Sequence, residues 1–162
     1  MRWRALLAGI VLVFANNAGF ATTTISSTFS VQLTISASCI ISSASSLTFA
    51  ASGVIATAIN QTSTIQVQCT NTTAYNIGLN PGTATGATVT TRKMTSGANT
   101  INYSLFRDAG MTSNWGQTVG TDTVSSTGTG AVQSFTVYGQ VPAQSTPAPG
   151  AYSDTITVTV TY

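Results

Sequence analysis

Apolar residues alternate with hydroxyl and amide residues at strict period two in two stretches of this chain, a pattern that suits a half-buried β-strand and little else. In residues 29–35, Phe29, Val31, Leu33 and Ile35 share one face, while Ser30, Gln32 and Thr34 share the other. Near the far end, Tyr152, Ile156, Val158, Val160 and Tyr162 hold even positions, with Thr155, Thr157, Thr159 and Thr161 between them. Each stretch has a wholly apolar face that must be covered. The sequence stops at Tyr162, so an unfinished sheet is expected if the last strand lies at an edge. On periodicity alone, residues 29–35 serve equally well as the first strand of their own sheet or as a strand offered to a greasy groove.

The rest of the sequence is equally poor in helix signals. After residue 21 there is no glutamate, a single lysine and no long apolar pattern at helical period. Further strands are expected at residues 46–49, 63–69, 75–79, 101–107 and 131–141. Turn residues separate most of them, which predicts an all-β sandwich. Asn80-Pro81-Gly82 is a turn signal, residues 125–130 a Gly/Ser/Thr loop, and residues 142–150 a proline-rich connection that should stay exposed. Gly128-Thr129-Gly130 lacks the lysine and the following helix of a phosphate loop.

The first residues read as an export signal. Arg2 and Arg4 precede an apolar run that Asn16 and Asn17 interrupt, and Gly19-Phe20-Ala21 offers a small-residue cleavage site. A membrane anchor would need roughly 20 consecutive apolar residues, so no membrane span is expected in the mature form. Cleavage after Ala21 would leave Arg92, Lys93 and Arg107 against Asp108, Asp122 and Asp154, a formally neutral chain. Such a chain has no basic footprint for nucleic acid and no polybasic patch for anionic lipid. It also repels its own copies little, which suits a filament or coat.

An exported chain passes through an oxidising compartment, so its only two cysteines, Cys39 and Cys69, are expected to form a disulfide. Closing a loop of about 30 residues stabilises by roughly 3 to 4 kcal/mol in the chain-entropy treatment. Catalysis is harder to draw. The chain has no histidine, and its only acids are Asp108, Asp122 and Asp154, so no His-based triad or Glu-based pair exists and no cofactor or metal set is expected. Arg107-Asp108 reads as a solvated charge pair, and Asp154 as a cap or bridge for a turn. Trp115-Gly116 and Val137-Tyr138-Gly139 read as core packing beside glycines, with a sugar-stacking platform as the alternative. An envelope hydrolase built on one of the aspartates is the remote reading. The short sequons at Asn60, Asn71 and Asn102 are assigned no role.

In order and spacing, these residues resemble the spore coat U family, whose members look like subunits of archaic chaperone–usher pili. The carriers are the strand at residues 29–35 shortly before Cys39, Val67-Gln68-Cys69-Thr70, and Arg92-Lys93-Met94 with Gly97. Tyr103-Ser104-Leu105-Phe106-Arg107-Asp108, Trp115-Gly116, Val137-Tyr138-Gly139 and Gly150-Ala151-Tyr152-Ser153-Asp154-Thr155 complete the series. Phe106 stands where the family more often has tyrosine, and Gln140 where a basic residue is common. The resemblance implies an incomplete immunoglobulin-like β-sandwich lacking its last strand and completed by donor strand exchange. It divides the chain into a signal peptide at residues 1–21, a donor extension at 22–35 and the sandwich domain at 36–162. Phe29, Val31, Leu33 and Ile35 become donor plugs, and Ile156, Val158, Val160 and Tyr162 the last strand beside the acceptor groove. It further implies a non-enzymatic subunit of a surface pilus or fimbria, exported through the periplasm and supporting adhesion or biofilm formation. The implied partners are other pilus subunits, a periplasmic chaperone and an outer-membrane usher. The alternatives are a single-domain carbohydrate-binding or adhesive module, or a spore or cell coat protein.

Overall fold

The computed structural model describes Gly19 and residues 21–162; apart from Gly19 and Ala21, the expected export signal lies outside them. The chain divides into two units, Met1–Thr34 and Ile35–Tyr162. In the first, residues 21–34 carry no regular secondary structure and are exposed throughout. Residues 29–35 are therefore not the first strand of a sheet in this structure.

The second unit has eight strands: β1 (Cys39–Ala44), β2 (Ile59–Cys69), β3 (Ala74–Leu79), β4 (Arg92–Ser96), β5 (Asn99–Phe106), β6 (Val124–Thr127), β7 (Val132–Val141) and β8 (Val158–Thr161). They form a five-stranded sheet in the order β1-β2-β7-β5-β4 and a three-stranded sheet in the order β6-β3-β8. Every ladder is antiparallel. Alternation explains which face each strand buries. In β2, Ile65, Val67 and Cys69 turn inward, while Thr64, Gln66 and Gln68 are only partly covered. Tyr75, Ile77 and Leu79 of β3 meet them from the facing sheet, and Tyr103, Leu105, Val137 and Val141 extend the same core. Each such side chain, fully buried, stabilises the fold by about 1.5–3 kcal/mol.

Three strands escape the period-two reading. In β1 the paired Ile40 and Ile41 break alternation, and the register shifts between Ile41 and Ser43 in a bulge. The strand β4 begins with a buried arginine, and β6 (Val124–Thr127) runs into the first half of the stretch expected at residues 125–130 to be a Gly/Ser/Thr loop. Conversely, residues 46–49 run without ladder partners, and the terminal strand is assigned only over Val158–Thr161. Residues 142–150 form an irregular, mostly exposed connection, as expected.

Sheet edges matter because an unpaired edge is a template for another strand. The outer side of β4 is partly covered by the chain before β8: Thr95 and Ser153 exchange two backbone hydrogen bonds of 2.9 and 3.1 Å. By contrast, β8 pairs with β3 from Leu79↔Val158 to Asn76↔Thr161, and its other side has no ladder partner among the described residues.

Candidate functional site

Beside the free edge of β8 the sandwich is open. A groove of about 1030 Å³ runs there, with Ile65, Leu79, Leu105, Val137, Ile156 and Val158 among its lining side chains. Its lips are two mostly irregular segments, residues 45–55, which follow β1, and 146–155. The groove is a gap in the core itself, since these aliphatic side chains belong to or pack against the same cluster that fills the sandwich. Such a surface favours an apolar strand that also supplies main-chain donors and acceptors.

The four positions expected along the last strand are not equivalent. Ile156 and Val158 line the groove. Val160 packs against the core further along β8 without lining it. Tyr162 lies beyond the end of β8 and is 60 % exposed, so it forms no part of the groove; alternation carried it onto the apolar face, but the pairing with β3 stops at Thr161. The four positions expected to be plugs are all exposed: Phe29 87 %, Val31 84 %, Leu33 85 % and Ile35 71 %. Four large apolar side chains in water at period two are unusual enough to mark a contact surface.

A polar bracket fixes the approach to β8. Asp154 Oδ2 accepts a 2.8 Å hydrogen bond from the Tyr103 hydroxyl, and Oδ1 accepts from Thr83 N, Thr83 Oγ1 and Thr155 N. The turn function expected of Asp154 is thus present, with a buried tyrosine added. Burial, with help from the hydrogen bond to Asp154, raises the Tyr103 pKa, so this phenol stays protonated and donates. The carboxylate also sits over Gly82, whose φ of +92° belongs to the left-handed region and where a Cβ would lie 2.0 Å from Asp154 Oδ2.

Beneath this bracket lies Arg92, with 0 % of its surface exposed. Its guanidinium donates to the carbonyls of Asn80, Val89, Leu79 and Trp115 at 2.9, 2.8, 3.1 and 2.6 Å. Burial lowers its pKa, and Tyr103, Asp154 and Asp122 offset part of that shift. The arginine ties together the end of β3, the chain before β4 and the loop after β5, holding Leu79 at the floor of the groove.

Several residues singled out in the sequence have structural duties. Trp115 is 1 % exposed and its indole N–H donates to Ile77 O at 2.8 Å, so it cannot serve as a sugar-stacking platform. Tyr138 is half-buried on β7. Arg107 donates to Thr123 O, whereas Asp108 accepts from Thr112 and Ser113 N–H groups, so the two take separate partners instead of pairing as expected. Those backbone hydrogen bonds hold the Asp108 carboxyl below its ordinary value. Gly128 N donates to Thr73 O and Gly130 N to Cys69 O, so neither N–H is free to cradle a phosphate. Cys39 and Cys69 form a disulfide with an S–S distance of 2.04 Å, joining the start of β1 to the end of β2 where the two residues face each other in register.

The lips are the part of the site that the sequence hid. Residues 45–55 bring Leu47 and Phe49 onto the core, Phe49 meeting the Tyr103 ring edge-on at a centroid distance of 6.4 Å. Gln144 clamps the far lip: its amide donates to Asn102 O and accepts from Asn102 N, and its own backbone N–H donates to Ile55 O. The apolar alternation at Leu47 and Phe49 was visible; that it would lie outside any ladder was not.

These features define a two-sheet β-sandwich open along one seam, a class in which part of the core is left without cover. The chain belongs to the Spore Coat Protein U domain family, whose model matches residues 25–159. It is similar to Protein U of Myxococcus xanthus, with 34 % identity over 107 residues, covering 62 % of this chain and 59 % of that protein. Among solved structures it shares its immunoglobulin-like fold with a chain from the crystal structure of the CsuC–CsuE chaperone–tip adhesion subunit pre-assembly complex of the archaic chaperone–usher Csu pili of Acinetobacter baumannii. That match has a TM-score of 0.59 and 22 % identity, covering 80 % of this chain and 41 % of the other. The chain thus spans somewhat over half the length of Protein U and less than half of that pilus-complex chain.

Proposed function

We propose that this protein is a non-enzymatic structural subunit of a surface pilus or fimbria, assembled by donor strand exchange. The observation that carries this reading is complementarity between two surfaces of one sequence. Residues 29–35 expose an apolar stripe at period two, and the groove beside β8 exposes an apolar core with an unpaired strand edge. One copy's stripe fills another copy's groove. Residues 22–35 act as the donor segment, residues 36–162 as the acceptor domain, and Phe29, Val31, Leu33 and Ile35 as the plugs.

Magnitudes show why the main chain matters as well as the plugs. Burying four such side chains contributes roughly 6 to 12 kcal/mol. Ordering seven backbone residues costs on the order of 7 to 14 kcal/mol. These terms nearly cancel, so durable attachment depends on completing the acceptor's core and pairing the free N–H and C=O groups of β8. An unfilled groove is an aggregation hazard, so a periplasmic chaperone lends a strand to each subunit before an outer-membrane usher passes it to the growing fibre. The likeness of fold to a chain of a chaperone–subunit complex supports this route. On this reading the mature chain works at the cell surface, where such a fibre supports adhesion or biofilm formation. The family's description favours one second reading, a cell or spore coat in which the same plug and groove link subunits laterally.

Deleting residues 22–35 tests the proposal. The shortened subunit should still form a stable complex with its chaperone but should yield no fibres by electron microscopy. Fibres in undiminished amount would refute it.

A further inference from the structure

Residues 46–54 lie in the connection from β1 to β2 and form one lip of the groove. The segment is anchored at both ends. Ser45 N and Ser45 Oγ donate to Thr64 O at 2.9 and 3.0 Å, and Ile55 N donates to Thr146 Oγ1 at 2.8 Å while Ile55 O accepts from Gln144 N at 3.1 Å. Between those anchors no hydrogen bond, main-chain or side-chain, holds any of residues 46–54 to another described residue. What holds them is apolar. Leu47 and Phe49 turn inward at period two with Ser46, Thr48 and Ala50 exposed; the sequence alternates in the same way at residues 29–35, where both faces are exposed. Both side chains line the groove and both rest on Gly139 of β7, where an added Cβ would lie 2.6 Å from Leu47 Cδ1 and 3.2 Å from Phe49 Cζ. Gly53 lies in open space and Val54 is 80 % exposed, so the second half of the segment is not packed down.

A wall that must stay fixed is ordinarily tied by a ladder, because unpaired backbone groups must otherwise be left to water. A cover that must leave is better held by side chains alone, which can be displaced one at a time without breaking a cooperative set of hydrogen bonds. The geometry points to residues 46–54 as a built-in placeholder: the strap seats Leu47 and Phe49 in the groove while it is empty and swings out from its two anchors as an incoming strand enters. This rests on the reading of the groove as a strand acceptor and adds to it a gate on the rate of entry. The strap limits the apolar surface that an unassembled subunit shows to water, and its displacement precedes full seating of the plugs.

The test measures the association rate of a fluorescently labelled synthetic peptide of residues 22–35 with the mature full chain, by stopped flow at low protein concentration. Gly139→Ala places a methyl group where Leu47 and Phe49 now rest, so it lifts the strap and should speed association at least tenfold. Leu47→Ser with Phe49→Ser removes the two placeholders without crowding β7 and should speed it likewise; this pair decides the matter if Gly139→Ala does not fold. Circular dichroism of each variant confirms the sandwich. A fixed wall would give the opposite result, with rates unchanged or slower in folded variants that still bind the peptide, and would overturn the strap while leaving the acceptor groove intact. Failure of the peptide to bind wild type and variants alike would overturn the reading of the groove and the strap with it.

Discussion

Arg92 shows how much of this fold is settled one side chain at a time. A guanidinium with no exposed surface would ordinarily demand a carboxylate, yet here four backbone carbonyls from three segments take its N–H groups. Replacing it by methionine keeps an unbranched apolar stem but leaves the carbonyls of Leu79, Asn80, Val89 and Trp115 without this donor. With about 1–3 kcal/mol for each buried group left unsatisfied, and some relaxation, Arg92→Met should lower the unfolding free energy by about 3 to 5 kcal/mol. Urea denaturation with an unchanged slope is the measurement that checks it. Nothing in the order of residues announces this burial, because Arg92 reads as one of three ordinary positive charges after residue 21. Trp115 was easier to read, since a tryptophan beside glycine in a strand-rich sequence has packing as its first explanation, and its indole N–H finds Ile77 O. Asp154 was half legible. A turn role before the last strand was expected, but its bond to Tyr103 spans 51 residues and belongs to tertiary structure.

Among the elements, legibility follows alternation. The long strand β2 contains the stretch expected at residues 63–69, and β7 covers all but the first residue of that expected at 131–141, because each keeps apolar residues on one face for several repeats. The strands β1, β4 and β6 keep no such pattern: one carries a bulge, one opens on the buried arginine and one is a run of serine and threonine after valine. Tertiary pairing makes them strands, against weak local signals. The disulfide belongs to this scale too, since it pins the first residue of irregular β1 to the last residue of regular β2. Replacing both cysteines by serine should cost about 3 kcal/mol, read as a lower denaturation midpoint. Protection of the β1 amides from hydrogen exchange should fall more than that of the β2–β7 ladder. Equal loss across both would show that the bridge stabilises only the unfolded reference and does not hold β1 in place.

For the molecule as a whole, the open seam is the organising fact. The other seven strands pack into the two sheets, while β8, paired with β3 on one side, offers on the other an edge that no described residue of the second unit pairs with, beside an open groove. The alternation at residues 29–35 and in the last strand was readable from period two; which of Ile156, Val158, Val160 and Tyr162 face the gap was not, because that depends on what packs beside each residue in the folded sandwich. The two irregular lips were the least readable part, being segments whose positions are set by side-chain contacts and by Gln144 standing in for a ladder. The measurement that bears most directly on the open seam is the thermal unfolding of residues 22–162 with residues 22–35 repeated behind Tyr162 through a flexible linker, compared with residues 22–162 unaltered. The extended chain should be a soluble monomer with a single cooperative transition at a clearly higher temperature than the unaltered chain, which should aggregate or polymerise when purified without a partner. An unaltered chain that is itself a monodisperse, heat-resistant monomer, gaining nothing from the added segment, would contradict this expectation.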